Sequence, residues 1–265
     1  MKTIIYQFYE GPIGEGDRNG VELMKEYADR IGAEHVFELD PSWPEEARIQ
    51  RKDLGKYNAH YGAFKPIFDS AYDDYDYILF ADTDVVPRNT NQNIFEEMGK
   101  VEIGICEEWM QPDIRSQISQ FGISETNDLK FHDIIQQFYG LQMLRDYKGR
   151  HRVFNSGCVV YSKKGRKKAQ VVFKDFKQYV DLMANNLPDF YQGDQEYLNA
   201  MLPQFMWKKL DYKWNSQVFY QPGTRGMEPR PISDYTDENT QFVHIQLNGA
   251  GDYSMEKIKE VIKYD

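Results

Sequence analysis

Two aspartates, Asp82 and Asp84, stand one residue apart after an apolar run that begins at Tyr75. The residues from Ile78 to Phe80 are typical of a strand buried on both faces, at the centre of a parallel sheet. Ligands of open α/β sheets bind beyond the carboxyl ends of the strands, where both carboxylates would lie. Paired carboxylates suit Mg²⁺ or Mn²⁺, ions that commonly accompany a diphosphate. The alternative is that the two aspartates only cap the following turn.

A polar corner interrupts a later run of β-forming residues between Val153 and Ser162. Asn155, Ser156 and Gly157 form this corner. Their small side chains would let a ligand approach closely, whereas the alternative is an ordinary strand that bends at Gly157.

An acidic residue and an amide stand where a helix is expected to begin. The apolar face of this helix is carried by Tyr197, Leu198 and Met201. Capping would account for Asp194. Gln195 is less easily explained as a cap, and its side-chain carbonyl is available to a substrate.

A histidine, His244, lies in a short predicted strand between Gln241 and Gln246. A lone histidine is most often a structural or surface residue. As a third ligand beside two carboxylates it would favour Mn²⁺ over Mg²⁺, because imidazole suits the softer ion.

Strands and helices alternate along the chain, which predicts an α/β fold with a mixed, mostly parallel central sheet flanked by helices. The region from Gln111 to Lys130 has weak periodicity and is interpreted as a mobile loop over the site. Strands are predicted at residues 3 to 9, 34 to 39, 77 to 81, 101 to 107, 153 to 162 and 241 to 246, with helices before Ile31, near 60 to 72, from 163 and from 194.

The loop after the first strand contains the sequence GPIGEG. It lacks both the G-x-G-x-x-G spacing and a G-K-[ST] ending, which argues against a nicotinamide fingerprint and a P-loop. The loop is interpreted as a plain connection, and the alternative is that the neighbouring Gln7 and Tyr9 bind a base.

The composition is that of a globular protein without a basic surface. The 265 residues are 41% hydrophobic, and their net charge of -10 disfavours a nucleic-acid partner. The mean hydropathy of -0.71 argues against a membrane span. Two cysteines, Cys106 and Cys158, are too few for a disulfide framework, so a reducing, cytoplasmic location is expected. The oligomeric state is not predicted.

Four motifs, taken together, resemble glycosyltransferase family 8, which includes the glycogenins and bacterial lipopolysaccharide galactosyltransferases. The motifs are YILFADTDVV, FNSGCVVYS, GDQEYLNAML and FVHIQLNG, and the resemblance extends to about Gly251. It implies a GT-A fold, the Rossmann-like fold of nucleotide-diphospho-sugar transferases, as a single domain over residues 1 to 265. Residues 1 to 110 would form the nucleotide-binding half, and residues 111 to 265 the half for the sugar and the acceptor.

The resemblance also implies a metal-dependent hexosyltransferase. Its DXD motif, Asp82, Thr83 and Asp84, would bind a Mn²⁺ (or Mg²⁺) that bridges the diphosphate of a UDP-sugar, with His244 as the third protein ligand. The hexose would move to a hydroxyl of a glycan or glycoprotein acceptor, with retention of the anomeric configuration.

Further residues match positions that contact the donor in the family. Asn155 would contact the transferred sugar, Asp194 would hold its hydroxyls, and Gln195 would lie near the reacting carbon. Lys65 resembles a basic donor contact, and Glu107 is a loose match to an acidic sugar contact. Apart from the resemblance, the 15% aromatic content suggests stacking against a sugar, for which Trp214 with Asn215 is the preferred candidate.

The chain departs from the family after His244. The family continues H-x-x-G-x-x-K-P-W, whereas this chain reads HIQLNGAGD and lacks the lysine. Arg225 or Arg230, or the metal alone, would then stabilise the leaving diphosphate.

Two other functions remain open from the sequence. The residues from Asp82 to Val86 also fit the D-x-D-x-[TV] motif of haloacid dehalogenase-type phosphatases, although that motif normally lies on the first strand. The absent lysine is also compatible with a non-catalytic sugar-binding module on the same fold.

Overall fold

A computed structural model describes residues 1 to 43, 60 to 108, 122 to 218, 238 to 245 and 253 to 264. The strands are β1 (Thr3–Tyr9), β2 (Glu34–Leu39), β3 (Tyr77–Ala81), β4 (Val85–Pro87), β5 (Ile103–Glu107), β6 (Phe154–Ser162), β7 (Trp207–Lys209), β8 (Ser216–Val218) and β9 (Phe242–Ile245). The helices are α1 (Glu15–Ile31), α2 (Lys65–Phe68), α3 (Glu125–Tyr139), α4 (Lys163–Val172), α5 (Phe176–Ala184), α6 (Asp194–Met201) and α7 (Met255–Ile262).

The central sheet has six strands in the order β2-β1-β3-β6-β5-β7. Strand β6 runs antiparallel to both of its neighbours, and the remaining pairs are parallel. A second sheet of order β4-β9-β8 lies beyond the carboxyl end of β3. The predicted mixed, mostly parallel α/β fold is therefore confirmed.

Helices cover both faces of the central sheet because alternate strand residues point to opposite sides. On one face, Met24 and Tyr27 of α1 pack in a cluster with Leu79 of β3. On the other face, Val159 of β6 belongs to a larger cluster with Phe131 of α3 and with residues of α4, α5 and α6. The burial of β3 on both faces is what its unbroken apolar sequence predicts.

Three local predictions differ from the structure. Strand β3 has one antiparallel neighbour, β6, which a local sequence pattern does not reveal. Of the loop predicted at 111 to 130, residues 111 to 121 lie outside the described part of the chain, whereas residues 125 to 130 belong to α3, whose first turn is capped by the Ser124 hydroxyl accepting from the Asn127 amide. The helix expected near residues 60 to 72 is split into short 3₁₀ turns and α2, with Pro66 in the first turn of α2.

Helix α1 approaches the Asp82–Asp84 turn through a glycine. A Cβ atom at Gly20 would lie 2.0 Å from the backbone oxygen of Thr83. Gly20→Ala is therefore expected to push α1 from the turn and to lower the free energy of unfolding by about 1–3 kcal/mol, the usual cost of overpacking. Urea denaturation measures this loss, with Glu22→Ala on the exposed face of the same helix as the control. Equal stability of the two variants would contradict the close packing.

A buried carboxylate joins β5, α4 and the residue before β7. Glu102 accepts from the Met206 amide at 2.8 Å and forms ion pairs of 3.0 Å with Lys164 and Lys168. Burial alone would raise the pKa of Glu102, but these partners outweigh it and lower the pKa to about 2.

The stability contributed by ionised Glu102 is expected to be complete above its unfolded pKa of 4.5 and to disappear as the pH falls towards about 2. Glu102→Gln should therefore be clearly less stable than the wild type at pH 6, and this difference should shrink at pH 3. Urea denaturation at both pH values measures it. A difference of the same size at both pH values would show that the ion pairs do not carry the effect.

Candidate metal and donor site

The two aspartates lie in the turn that connects β3 to β4. The Asp82 amide donates to the Gly157 carbonyl at 2.8 Å, and the Asp82 carbonyl accepts from the Val85 amide at 3.1 Å. The Thr83 hydroxyl donates to Asp17 of α1 at 2.7 Å. These contacts hold the turn against both sheets and α1, so the two carboxylates are presented at the strand end.

His244 meets the two aspartates from β9. In the β4–β9 pair, His244 lies opposite Val85, and this register places the imidazole beside the turn. Its Nε2 lies 3.2 Å from Asp84 Oδ1 and 4.0 Å from Asp82 Oδ2. One ligand atom from each of the three residues lies within 4.8 Å of the other two. The structure therefore brings together the three residues that the sequence analysis assigned to a metal.

The electrostatics of this cluster fit a divalent cation. Partial burial, followed by the charge of Asp84, raises the pKa of Asp82 above its ordinary value. Burial lowers the pKa of His244, but Asp84 and Asp82 outweigh it and hold this pKa above its ordinary value. Two carboxylates that repel each other beside an imidazole are the donor set that Mn²⁺ or Mg²⁺ would neutralise.

A glycine leaves the space that the cluster needs. A Cβ atom at Gly157 would lie 2.4 Å from Asp82 Oδ2 and 2.7 Å from His244 Cε1. The polar corner of β6 is thus close to the aspartates, as its small residues indicated.

Asn155 and Gln195 form one hydrogen-bonded pair beside the cluster. The Asn155 amide donates to Gln195 Oε1 at 3.2 Å, and the Ser156 backbone amide donates to the same oxygen at 3.3 Å. Gln195 in turn donates to Glu108 Oε2 at 3.1 Å. The two amides named by the sequence analysis are therefore in contact although they are distant in the chain.

Asp194 is the first residue of α6, and Gly193 occupies the capping position. Gly193 rather than Asp194 is therefore the N-cap residue, although the Asp194 carboxylate accepts hydrogen bonds from the backbone amides of Asp194 and Gln195 in the first turn of the helix. Its carboxylate lies 4.0 Å from His60 Nδ1, and burial raises its pKa. The charge of Asp194 is also among the smaller causes that raise the pKa of Asp82.

Two predicted donor contacts are held by partners inside the protein. Gln7 is fully buried, donates to the Asp82 carbonyl at 3.0 Å and contacts His35 Nε2 at 3.0 Å. Lys65 is buried and its ammonium lies 2.6 Å from Glu38 Oε2. Gln7 thus positions the Asp82 backbone, and the charge of Lys65 is balanced by Glu38. The half-buried Tyr9 lies near Asp17 and Asp84, whose charges contribute to its raised pKa after burial.

The acidic residue that faces the site is Glu108, one position after the predicted Glu107. Glu107 is held by Arg152 at 2.8 Å and by Lys209 at 3.4 Å. An irregularity in the β5–β6 register precedes Glu107, and neighbouring residues of a strand point to opposite sides. The sequence signal was the pair of adjacent glutamates, which gives no indication of which one faces the site.

Two other expectations concern aromatic and cationic residues. Trp214 is 1% exposed and packs in a core cluster, so stacking of its ring on a sugar is excluded by burial. Arg225, Arg230 and the residues from 246 to 252 lie outside the described part of the chain.

Comparison with solved structures gives matches along nearly the whole chain. A glycosyltransferase involved in glycosylation of the major capsid of PBCV-1 matches with 14% identity and a TM-score of 0.51, covering 99% of both chains. The galactosyltransferase LgtC, in complex with donor and acceptor sugar analogs, matches with 13% identity and a TM-score of 0.52, covering 98% of this chain and 95% of that one. The chain has the GT-A glycosyltransferase fold. Mouse xyloside xylosyltransferase 1 matches with 12% identity and a TM-score of 0.50, covering 94% of this chain and 99% of that one.

The GT-A fold confirms the expectation drawn from the four motifs. No protein-family model and no curated protein matches the sequence. The phosphatase motif normally lies on the first strand, whereas here Asp82 follows the third strand of the chain, β3. Within the described ranges, no helix combines the length and apolar character that a membrane span requires.

Proposed function

We propose that this protein is a metal-dependent glycosyltransferase that moves a hexose from a UDP-sugar to a hydroxyl of a glycan or glycoprotein. The observation that carries the proposal is the convergence of Asp82, Asp84 and His244 within 4.8 Å at a strand end. In open α/β sheets this edge is where ligands bind. Asn155 and Gln195 are hydrogen-bonded to each other beside this cluster, which provides polar groups for a sugar.

Asp82, Asp84 and His244 would hold the metal, for which Mn²⁺ is our first choice because one ligand is an imidazole. When bound, the ion supplies Lewis-acid stabilisation of the departing diphosphate. The protein's own contribution is to hold the two carboxylates in a fixed turn through Gln7, Thr83 and the Gly157 carbonyl. A cation from the segment containing Arg225 and Arg230 would replace the family lysine, or the metal would act alone.

We propose transfer with retention by direct attack of the acceptor on the same face as the leaving diphosphate. The Gln195 oxygen is a weak nucleophile and already accepts from Asn155 and from the Ser156 amide. A covalent sugar–glutamine intermediate is therefore disfavoured, and Gln195 instead lines the reacting face. Asp194 and Glu108 supply acceptors for sugar hydroxyls. Identification of the product anomer by NMR tests this step, and an inverted product would overturn it.

The proposed organisation is a single domain whose two halves share the site. Residues 1 to 110 contribute the two aspartates and the nucleotide side. Residues 111 to 265 contribute His244 and the polar groups Asn155, Asp194 and Gln195 on the sugar and acceptor side. Both halves are needed for the metal ligands.

The function is tested by measuring nucleotide release from UDP-, GDP- and CMP-sugars with and without Mn²⁺. A transferase without its acceptor should release UDP slowly from a UDP-sugar, and only when Mn²⁺ is present. A phosphatase would prefer phosphomonoesters, and a binding module would bind the donor without releasing UDP. Absence of UDP release from every UDP-hexose would contradict the proposal.

A further inference from the structure

We propose that Asn215 is a positioning residue that fixes the tautomer of His244 and connects this metal ligand to Asn155 and Gln195. Asn215 is fully buried, and its backbone amide donates to the Tyr212 carbonyl at 2.9 Å. The assignment of the ion rests on the function proposed above, whereas the hydrogen-bond pattern rests on the contacts alone.

The direction of the hydrogen bonds follows from a backbone amide. The Gly157 N–H can only donate, and it lies 3.0 Å from Asn155 Oδ1. The Asn215 side-chain nitrogen donates to this same oxygen at 2.9 Å. Because the amide nitrogen of Asn215 faces Asn155, its oxygen faces His244 Nδ1, at 3.0 Å. That oxygen can only accept, so the proton of a neutral His244 lies on Nδ1.

This tautomer leaves the lone pair of the imidazole on Nε2. Nε2 is the nitrogen that lies 3.2 Å from Asp84 Oδ1, on the side of the two carboxylates. A neutral histidine binds a metal through the nitrogen without a proton, and the hydrogen bond at its other nitrogen decides which one that is. Asn215 therefore holds the proton on Nδ1 and orients the ring so that Nε2 is the nitrogen that an ion would meet.

The same pattern continues to the sugar side. The Ser156 backbone N–H donates to Gln195 Oε1, which also accepts from Asn155. Because the side-chain oxygen of Gln195 faces these donors, its side-chain nitrogen Nε2 faces Glu108 and donates to it. Two backbone amides thus orient every side-chain amide between His244 and Glu108. Asn215 connects the two parts of this network, because it accepts from His244 and donates to Asn155.

Two substitutions separate the two contacts of Asn215. Asn215→Asp keeps an acceptor for His244 Nδ1 but places a carboxylate oxygen against Asn155 Oδ1. Asn215→Leu has a similar size and removes both contacts. We expect Asn215→Leu to bind Mn²⁺ about 10–100-fold more weakly, the usual cost of losing a partner of a metal ligand. We expect Asn215→Asp to keep Mn²⁺ affinity within a few fold and to lower kcat with a UDP-sugar.

The decisive readout is whether Nδ1 of His244 carries a proton in the metal-free protein, measured by ¹⁵N NMR. The wild type and Asn215→Asp should carry the proton on Nδ1, and Asn215→Leu should lose this preference. A wild-type His244 with its proton on Nε2 and none on Nδ1 would overturn the inference without any variant having to fold. Equal Mn²⁺ binding by Asn215→Leu and the wild type would also overturn it. If the wild type bound no Mn²⁺, the proposed function would fail, while the tautomer would still decide the role of Asn215.

Discussion

Replacing Asp84 with Asn is expected to abolish metal-dependent sugar transfer while leaving the fold intact. Asp84 supplies one of the three ligand atoms of the cluster, and its Oδ1 is the carboxylate atom nearest to His244 Nε2, at 3.2 Å. The metal's stabilisation of the leaving diphosphate is worth several kcal/mol, so turnover should fall by about a thousandfold or more.

The fold should tolerate this change because the Asp84 side chain is partly exposed and repels Asp82. Its structural contact is a backbone one, since the Asp84 carbonyl accepts from the Ile245 amide at 2.9 Å. UDP release at saturating Mn²⁺ measures the loss, and thermal unfolding checks the fold. Asp181→Asn, which changes an exposed carboxylate on α5, is the matched control. An active Asp84→Asn variant would remove this residue from the metal site.

Replacing Gly157 with Ala is expected to displace two of the proposed metal ligands, Asp82 and His244. The added methyl would lie 2.4 Å from Asp82 Oδ2 and 2.7 Å from His244 Cε1. Both atoms belong to side chains, so the side chains will turn away rather than the sheet shifting. We expect Mn²⁺ affinity to fall by about 10–100-fold, as for other changes that misorient ligands, with a parallel loss of activity.

The contrast with a second glycine makes this prediction specific. A Cβ atom at Gly193 would have its nearest neighbour, the Phe190 carbonyl, at 3.6 Å, which is an ordinary contact. Gly193→Ala should therefore retain Mn²⁺ affinity. Isothermal titration with Mn²⁺ measures both variants, and circular dichroism checks their secondary structure. Unchanged affinity in Gly157→Ala would mean that the ligands do not occupy the positions described here.

Local sequence patterns predicted most of the sheet. Strands β1 and β3 have their predicted bounds, because a largely apolar run ending in polar residues marks where a buried strand stops. The pairing of β3 with β6 could not be predicted in this way, since it joins residues distant in the chain and runs against the parallel pattern. The breakup of the helix near Pro66 has a local cause instead, because a proline is tolerated in the first turn of a helix but not in its interior.

Residue type predicted which side chains could bind a metal. It did not predict which polar side chains are already paired with another residue of the protein. Asp82, Asp84 and His244 converge, and the lone His244 acquired significance only from the order of the motifs. Lys65 is balanced by Glu38, a partner on β2 that no spacing rule connects to it. Asn215 was paired with Trp214 as a candidate for stacking against a sugar, whereas its contacts with β6 and β9 depend on the fold.

The central claim is that this cluster binds a metal together with the diphosphate of a UDP-sugar. The most direct test is thermal unfolding of the protein with UDP, with Mn²⁺ and with both. A ligand at about 100 times its Kd stabilises the folded state by about 2.7 kcal/mol, which gives a measurable rise in Tm. We predict a rise with UDP and Mn²⁺ together that exceeds the sum of the separate rises and is abolished by Asp84→Asn. A UDP-induced rise that is the same with Mn²⁺ and with excess chelator would contradict the claim.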